Sequence, residues 1–273
     1  MIKFKHTVFA LPFALMGAFL AARGVPGPWV LFWVVVAMAG ARTAAMGFNR
    51  IVDRKFDAMN PRTRDRALPA GQISVPWSWI MVIVAAALFF FACWQLNPLT
   101  MAISPVALGI CLGYSLTKRF TWACHIVLGI ALAFSPLGGW VAVSGTLAHY
   151  PWVLSLAVLC WVAGFDTVYA CMDADFDRCS GLFSLPARFG PKTALRLAMA
   201  LHGMAFVLFA LTGVAAGLGI MYHTGLVLAG AAMVFQHRLI APDDLSRIKM
   251  SFFTMNGVIS LALFVATWLD LSL

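Results

Sequence analysis

The stretch PWVLFWVVVAMAGARTAAMGFNRIVDRKFDAMNPRTRDR, residues 28–66, changes character half-way along. Residues 28–48 carry one charge, Arg42, and are otherwise apolar or small, long enough for a helix to cross the ~30 Å core of a bilayer. Then charge of both signs crowds in: nine charged side chains lie between Asn49 and Gly71, in a chain only 11% charged. A membrane segment that runs straight into scarce charge raises the question of what the charge is for.

Outward from this stretch, the apolar character repeats. The 273 residues are 62% hydrophobic, with a mean hydropathy of +0.91, against roughly 45–50% apolar residues in a soluble domain. Spans are expected at about 6–22, 28–48, 76–95, 98–115, 122–142, 152–171, 192–214, 222–238 and 250–269. The fold class is therefore an all-α integral membrane protein, a bundle of about nine transmembrane helices forming a single domain over residues 1–273. The runs recur along nearly the whole chain, so none reads as a lone signal peptide.

Orientation follows from the 19 Lys and Arg residues. With a cytoplasmic N-terminus, Lys3, Lys5, the cluster at 50–66, Lys118, Arg119, Arg178, Arg188, Lys192, Arg196, Arg238, Arg247 and Lys249 fall at cytoplasmic ends, and Arg23 at the other. That is the positive-inside pattern, with the C-terminus outside. The net charge of +9 is thus topological. It sits in separate loops with no free basic tail, so nucleic acid is not an expected partner. Six cysteines without a CxxC pair read as free and structural, and six scattered histidines show no metal-binding spacing.

The acidic residues narrow the chemistry. All ten are aspartate, and nine lie at the same cytoplasmic ends, Asp270 being the exception. At helical pitch Arg42, Asn49, Asp53 and Asp57 form one stripe, and Asp166, Asp173 and Asp177 repeat it in FDTVYACMDADFD. A plain alternative is that each aspartate pairs with a neighbouring arginine at a solvated helix end. Two carboxylate pairs on one membrane face, with Asp166 inside an apolar segment, instead suit hard divalent cations. Arg62, Arg64, Arg66, Lys118, Arg119, Arg178, Arg188 and Lys192 lie on that face as well. Carboxylates, metal and cations together describe a diphosphate site.

Asn49-x3-Asp53-x3-Asp57 followed by NPRTRDRALPAG, with DTVYACMDADFD and the later GLFSLPARFG, resembles the UbiA superfamily of intramembrane aromatic prenyltransferases. FKHTVFALPFAL and the NPRTRDR loop are most similar to its 4-hydroxybenzoate polyprenyltransferase branch, including members of the futalosine route to menaquinone. The resemblance implies two magnesium ions, one held by Asn49, Asp53 and Asp57 and the other by Asp173 and Asp177, with Asp166 completing or orienting the second site. It implies transfer of a polyprenyl group from polyprenyl diphosphate to a ring carbon of an aromatic carboxylic acid, 4-hydroxybenzoate or 1,4-dihydroxy-6-naphthoate, in ubiquinone or menaquinone biosynthesis. The lipid bilayer is the third partner, and a bacterial inner membrane with the site at its cytoplasmic face is the expected location.

On that reading Arg62, Arg66, Lys118, Arg119 and Lys192 bind diphosphate, and Tyr114 stabilises the allylic cation. Arg42 takes the acceptor carboxylate, or else forms an ion pair with Asp53 or Asp166. Ser135, in FSPLGG, faces the pocket where Pro136 is expected to bend or open its helix. Gly109-x3-Gly113 and Gly213-x3-Gly217 are expected at close helix crossings. Two positions depart from the family pattern: Arg50 replaces an aspartate after the asparagine, and Phe183 replaces a lysine before Ser184, with Lys192 or Arg178 as candidate substitutes. The competing function is a transporter or magnesium pathway, which requires acidic residues spread through the membrane depth rather than gathered at one face. A nucleotide-alcohol phosphotransferase requires a DG pair followed by Ala-Arg, which the sequence lacks.

Overall fold

The computed structural model describes residues 7–147, 150–248 and 250–273. Lys3, Lys5 and Lys249, used in the orientation argument, lie outside the described residues. Among these, nine long helices alternate in direction: α1 (Thr7–Ala22), α2 (Pro28–Val52), α4 (Val75–Leu96), α5 (Pro98–Thr117), α6 (Cys124–Ser144), α7 (Tyr150–Ala170), α10 (Pro191–Ala216), α11 (Ile220–Arg238) and α12 (Asn256–Ser272). Short helices α3 (Arg54–Met59), α8 (Ala174–Cys179) and α9 (Leu185–Phe189) follow the two acidic motifs, and a π-helical turn over Met250–Met255 precedes α12. Among the described residues, seven helices are long and apolar enough to cross a membrane; α1 is shorter, and α11 falls outside the seven. The chain is an integral membrane protein.

Local chemistry sets the helix ends. Asn97 separates α4 from α5 and accepts from Thr100 N at 2.8 Å, and Ser74 and Ser184 cap α4 and α9 in the same way. At the far end Asp270 accepts from the amides of Gly219, Met221 and Tyr222, a carboxylate at the positive terminus of α11. That accounts for the one aspartate away from the acidic face.

The helices pack chiefly as α2 on α4, α7 on α6 and α10, α1 on α6 and α12, and α11 on α12. The core between α1, α7, α10 and α11 is aromatic, with Phe13 stacked on Phe209 and tilted against Trp161. Outside, Trp29, Trp94, Trp152 and Trp268 are exposed at one end of the bundle, and Trp77, Trp79 and Trp122 at the other. Such a surface invites association in water, but in a bilayer it forms the two interfacial belts.

Three local expectations meet different outcomes. FSPLGG does not break its helix: α6 runs unbroken through Pro136. Gly139 and Pro136 make the crossing with α1, where a Cβ at Gly139 would stand 1.9 Å from the Ala14 carbonyl oxygen and one at Gly17 2.0 Å from that of Pro136. Gly109 and Gly113 have nothing against them within 4 Å, so they mark no crossing. Gly213 packs against the Tyr222 ring, whereas Gly217, at φ +66°, ends α10 in the left-handed conformation.

Neither acidic stripe is one continuous helix. α2 runs a turn beyond its expected end, to Val52, and the chain bends at Asp53 before α3. The Arg119 guanidinium takes up the Val52 carbonyl at the bend, at 2.6 Å. In the second motif α7 stops at Ala170, and a 3-10 turn, Cys171–Asp173, leads into α8. Each bend turns its carboxylates inward, toward the other motif.

Candidate active site

The two bends face each other across the mouth of a cavity of about 960 Å³. Arg42, Asn49, Asp53 and Asp57 line it from the α2–α3 side, Asp166, Asp173 and Asp177 from the α7–α8 side, Tyr114 and Lys118 from α5 and its end, and Ser135 from α6. Deeper in, Phe9, Phe165, Phe252 and Phe253 form an aromatic wall. Charge is concentrated at one end of an otherwise apolar chamber.

The loop after α3 closes over this mouth. Asn60 donates to Asp173 Oδ1 at 3.0 Å, Arg62 Nε to the same oxygen at 2.9 Å, and a second Arg62 nitrogen to Asp173 Oδ2. Arg62 also donates to the Tyr169 hydroxyl at 2.9 Å and lies over its ring. Burial works against the Arg62 charge, but the bonds to Asp173 and Tyr169 outweigh it and hold its proton more tightly than usual. Arg66 pairs with Asp57 at 2.7 Å, and Thr63 donates to the Asp57 carbonyl at 3.0 Å. So each acidic motif is gripped by the same loop. The ion pairs are not the neighbour pairs of a solvated helix end; the Arg62–Asp173 link spans 111 residues.

On the other side Asn49 Nδ2 donates to Asp53 Oδ2 at 2.9 Å, and Arg119 approaches Asp53 Oδ1 at 3.4 Å. Burial pushes the Asp53 carboxyl above the ordinary aspartate range, while Lys118 and Arg119 pull it back. Asp57 Oδ2 is buried without a hydrogen-bond partner, 3.7 Å from Arg50 Nη1. Among the described residues, no three acidic, histidine or cysteine side chains converge enough to enclose an ion by themselves. Paired carboxylates, an orphaned carboxylate oxygen and nearby cations fit a hard divalent ion that completes its shell with phosphate oxygens.

The profile of the UbiA prenyltransferase family matches residues 10–258. The chain belongs to the UbiA prenyltransferase family. It is 32% identical over 251 residues to a 4-hydroxybenzoate octaprenyltransferase of Pectobacterium carotovorum, covering 92% of this chain and 87% of that one. The apo structure of a UbiA homologue from Aeropyrum pernix superposes with a TM-score of 0.90 at 36% identity, over 99% of both chains. A UbiA homologue from Archaeoglobus fulgidus, bound to GPP and Mg2+, shares the fold at 21% identity and a TM-score of 0.77, over 98% of this chain and 96% of that one. The protein is accordingly a prenyltransferase.

Within this UbiA framework several sequence expectations change. Lys192 does not reach the cavity: on the first turn of α10 it is Ala194 that turns inward, leaving Lys192 exposed. Arg178 is no substitute for the family lysine either, since it is exposed and pairs with Asp175; such pairs contribute about 1 kcal/mol or less. Arg119 acts on Asp53 and the Val52 carbonyl but does not line the cavity. Phe183 lines it, and its amide donates to the Lys118 carbonyl at 2.7 Å. Lys118 lines the cavity too, and among the described residues no carboxylate pairs with its ammonium.

Arg42 makes neither of its alternative ion pairs. Its Nη2 meets Met46 Sδ at 3.5 Å, and its buried Nε has no partner. Asp166 is bonded to His125, Nδ1 to Oδ2 at 2.7 Å, rather than to Asp173 or Asp177. Sequence reading left Asn60 and His125 out of the site and gave Tyr169 no role in it. Asn60 had a signal, as the turn-forming residue before Pro61, and Tyr169 had its spacing from Asp173; His125 had none.

Proposed function

We propose that this prenyltransferase moves a polyprenyl group from its diphosphate to a ring carbon of an aromatic carboxylic acid, 4-hydroxybenzoate or 1,4-dihydroxy-6-naphthoate, in ubiquinone or menaquinone biosynthesis. The observation that carries the acceptor class is Arg42: a guanidinium in the cavity wall, inside the membrane segment, with no carboxylate partner among the described residues. Leaving such a charge unpaired in an apolar wall is costly, so an anionic ligand is its natural partner. The identity to a 4-hydroxybenzoate octaprenyltransferase supports the same class.

Asn49, Asp53 and Asp57 would hold one magnesium and Asp173 and Asp177 the other; the Archaeoglobus homologue was solved with magnesium and GPP, which supports this reading. When bound, the metal acts as a Lewis acid that makes the diphosphate a better leaving group. Lys118, Arg62 and Arg66 take the diphosphate oxygens, with the Arg62–Asp173 and Arg66–Asp57 pairs exchanged for ligand contacts. Arg119 holds Asp53 in position. Arg42 orients the acceptor carboxylate through a bidentate contact, Ser135 borders its ring, and Tyr114 lends its electron-rich face to the cation forming at the prenyl C1. The aromatic wall keeps water from that cation. Residues 1–273 act as one unit, with the mouth at the cytoplasmic face of a bacterial inner membrane, the N-terminus inside and the C-terminus outside.

The test is acceptor choice. Protein in nanodiscs is given geranyl diphosphate, magnesium and, separately, each acid and a phenol lacking the carboxylate. C-prenylated product with one or both acids and far less with the phenol is expected; equal product with the phenol overturns the acceptor class.

A further inference from the structure

Prenyl transfer to a ring carbon leaves a surplus proton on that carbon, and the arrangement at Asp166 is built to receive it. His125, on the first turn of α6, is 3% exposed. Its Nε2 accepts from the Leu185 amide at 3.3 Å, and its Nδ1 lies 2.7 Å from Asp166 Oδ2. A backbone N–H can only donate, so Nε2 is the unprotonated nitrogen. The imidazole proton therefore sits on Nδ1 and is given to Asp166. The bond from Nδ1 holds Asp166 in one orientation in the wall of the cavity that it lines.

Among the described carboxylates of the cavity, Asp166 is the one hydrogen-bonded to the His125 ring, while Asp177 is bonded to Ser184 and lies near Lys118. Asp53, Asp57 and Asp173 each face an arginine at the diphosphate end. Asp166 faces an imidazole and lies on α7 one turn inside its end at Ala170, before the bend that carries Asp173. Arg42 likewise lies within α2, inside its end at Val52. Both line the cavity, so an acceptor whose carboxylate meets Arg42 occupies the chamber that Asp166 lines.

We propose that Asp166 is the catalytic base of the reaction and His125 its positioning residue. The inference rests on the aromatic acceptor proposed above. The prenyl C1–O bond breaks with its electron pair going to the diphosphate, and a ring π pair forms the new C–C bond. The proton on that ring carbon then passes to the Asp166 carboxylate, and the C–H electron pair restores the aromatic ring.

The experiment compares wild type, Asp166→Asn, His125→Leu and His125→Gln in nanodiscs, using an acceptor with hydrogen or deuterium at the ring positions beside its hydroxyl. Binding of geranyl diphosphate with magnesium is measured alongside. Asp166→Asn is expected to lose about a hundred-fold or more in turnover, to bind the diphosphate as wild type does, and to show a primary deuterium effect that wild type lacks. His125→Leu is expected to follow it, and His125→Gln, whose amide can accept from Leu185 and donate to Asp166, to recover most of the turnover. Unchanged turnover in Asp166→Asn, a loss with no deuterium effect, or lost diphosphate binding overturns the assignment. Absence of product from wild type with every acceptor overturns the aromatic-acceptor reading instead.

Discussion

At the residue scale, the site divides into groups that are paired and groups that are not. Asp173, Asp57 and Asp53 already hold arginines, while Arg42 and Lys118 stand without carboxylate partners among the described residues. The unpaired cations mark where the two anionic ends of the substrates belong. Arg42→Met is expected to raise the acceptor KM by about 10- to 100-fold, as loss of a charge-assisted bond worth ~1.5–3 kcal/mol implies, and to leave the diphosphate KM unchanged. Lys118→Met is expected to do the reverse, and steady-state kinetics with each substrate varied in turn separates the two. The gathering of the aspartates was legible in sequence because they sit at helical spacing at one membrane face. His125 was not, because its partners Asp166 and Leu185 are 41 and 60 residues away and share no periodicity with it.

At the element scale, the bends at Asp53 and Ala170 do what a straight helix cannot. A continuous stripe would carry Asp57 and Asp177 away from the cavity, whereas α3 and α8, set at an angle, return both to its mouth. Helical periodicity placed these residues on one face but could not show the break, since the Val52 carbonyl is satisfied by Arg119, 67 residues further on. The loop of residues 60–66 is the second element, and Arg62 is its clasp. Arg62→Ala is expected to loosen it, seen as faster amide exchange over residues 60–70 without ligand, with α4 unchanged. Glycine motifs misled for a similar reason: a GxxxG spacing says a close approach is possible, not that a neighbour is there. Gly139→Ala forces a methyl group onto the α1 backbone and is expected to cost about 1–3 kcal/mol or more, lowering the thermal midpoint in detergent, while Gly109→Ala leaves it within error.

At the scale of the whole molecule, apolar composition and the distribution of charge were enough to give the class, because a bundle of spans can be counted along the chain. They could not give the cavity, which exists only once α2, α5, α6 and α7 are brought together. The topology is open to a simple test: Cys179 is exposed at the acidic face, so a membrane-impermeant maleimide should label it in inverted vesicles and not in intact cells. The account's central claim is that the two acidic motifs work together, through magnesium, on one diphosphate. The direct measurement is formation of C-prenylated acid from geranyl diphosphate in nanodiscs, with magnesium or with chelator, for wild type, Asp53→Ala and Asp173→Ala. Product that requires magnesium and is lost in both folded variants is the predicted result. Product that survives chelation, or that survives loss of either aspartate, would contradict it.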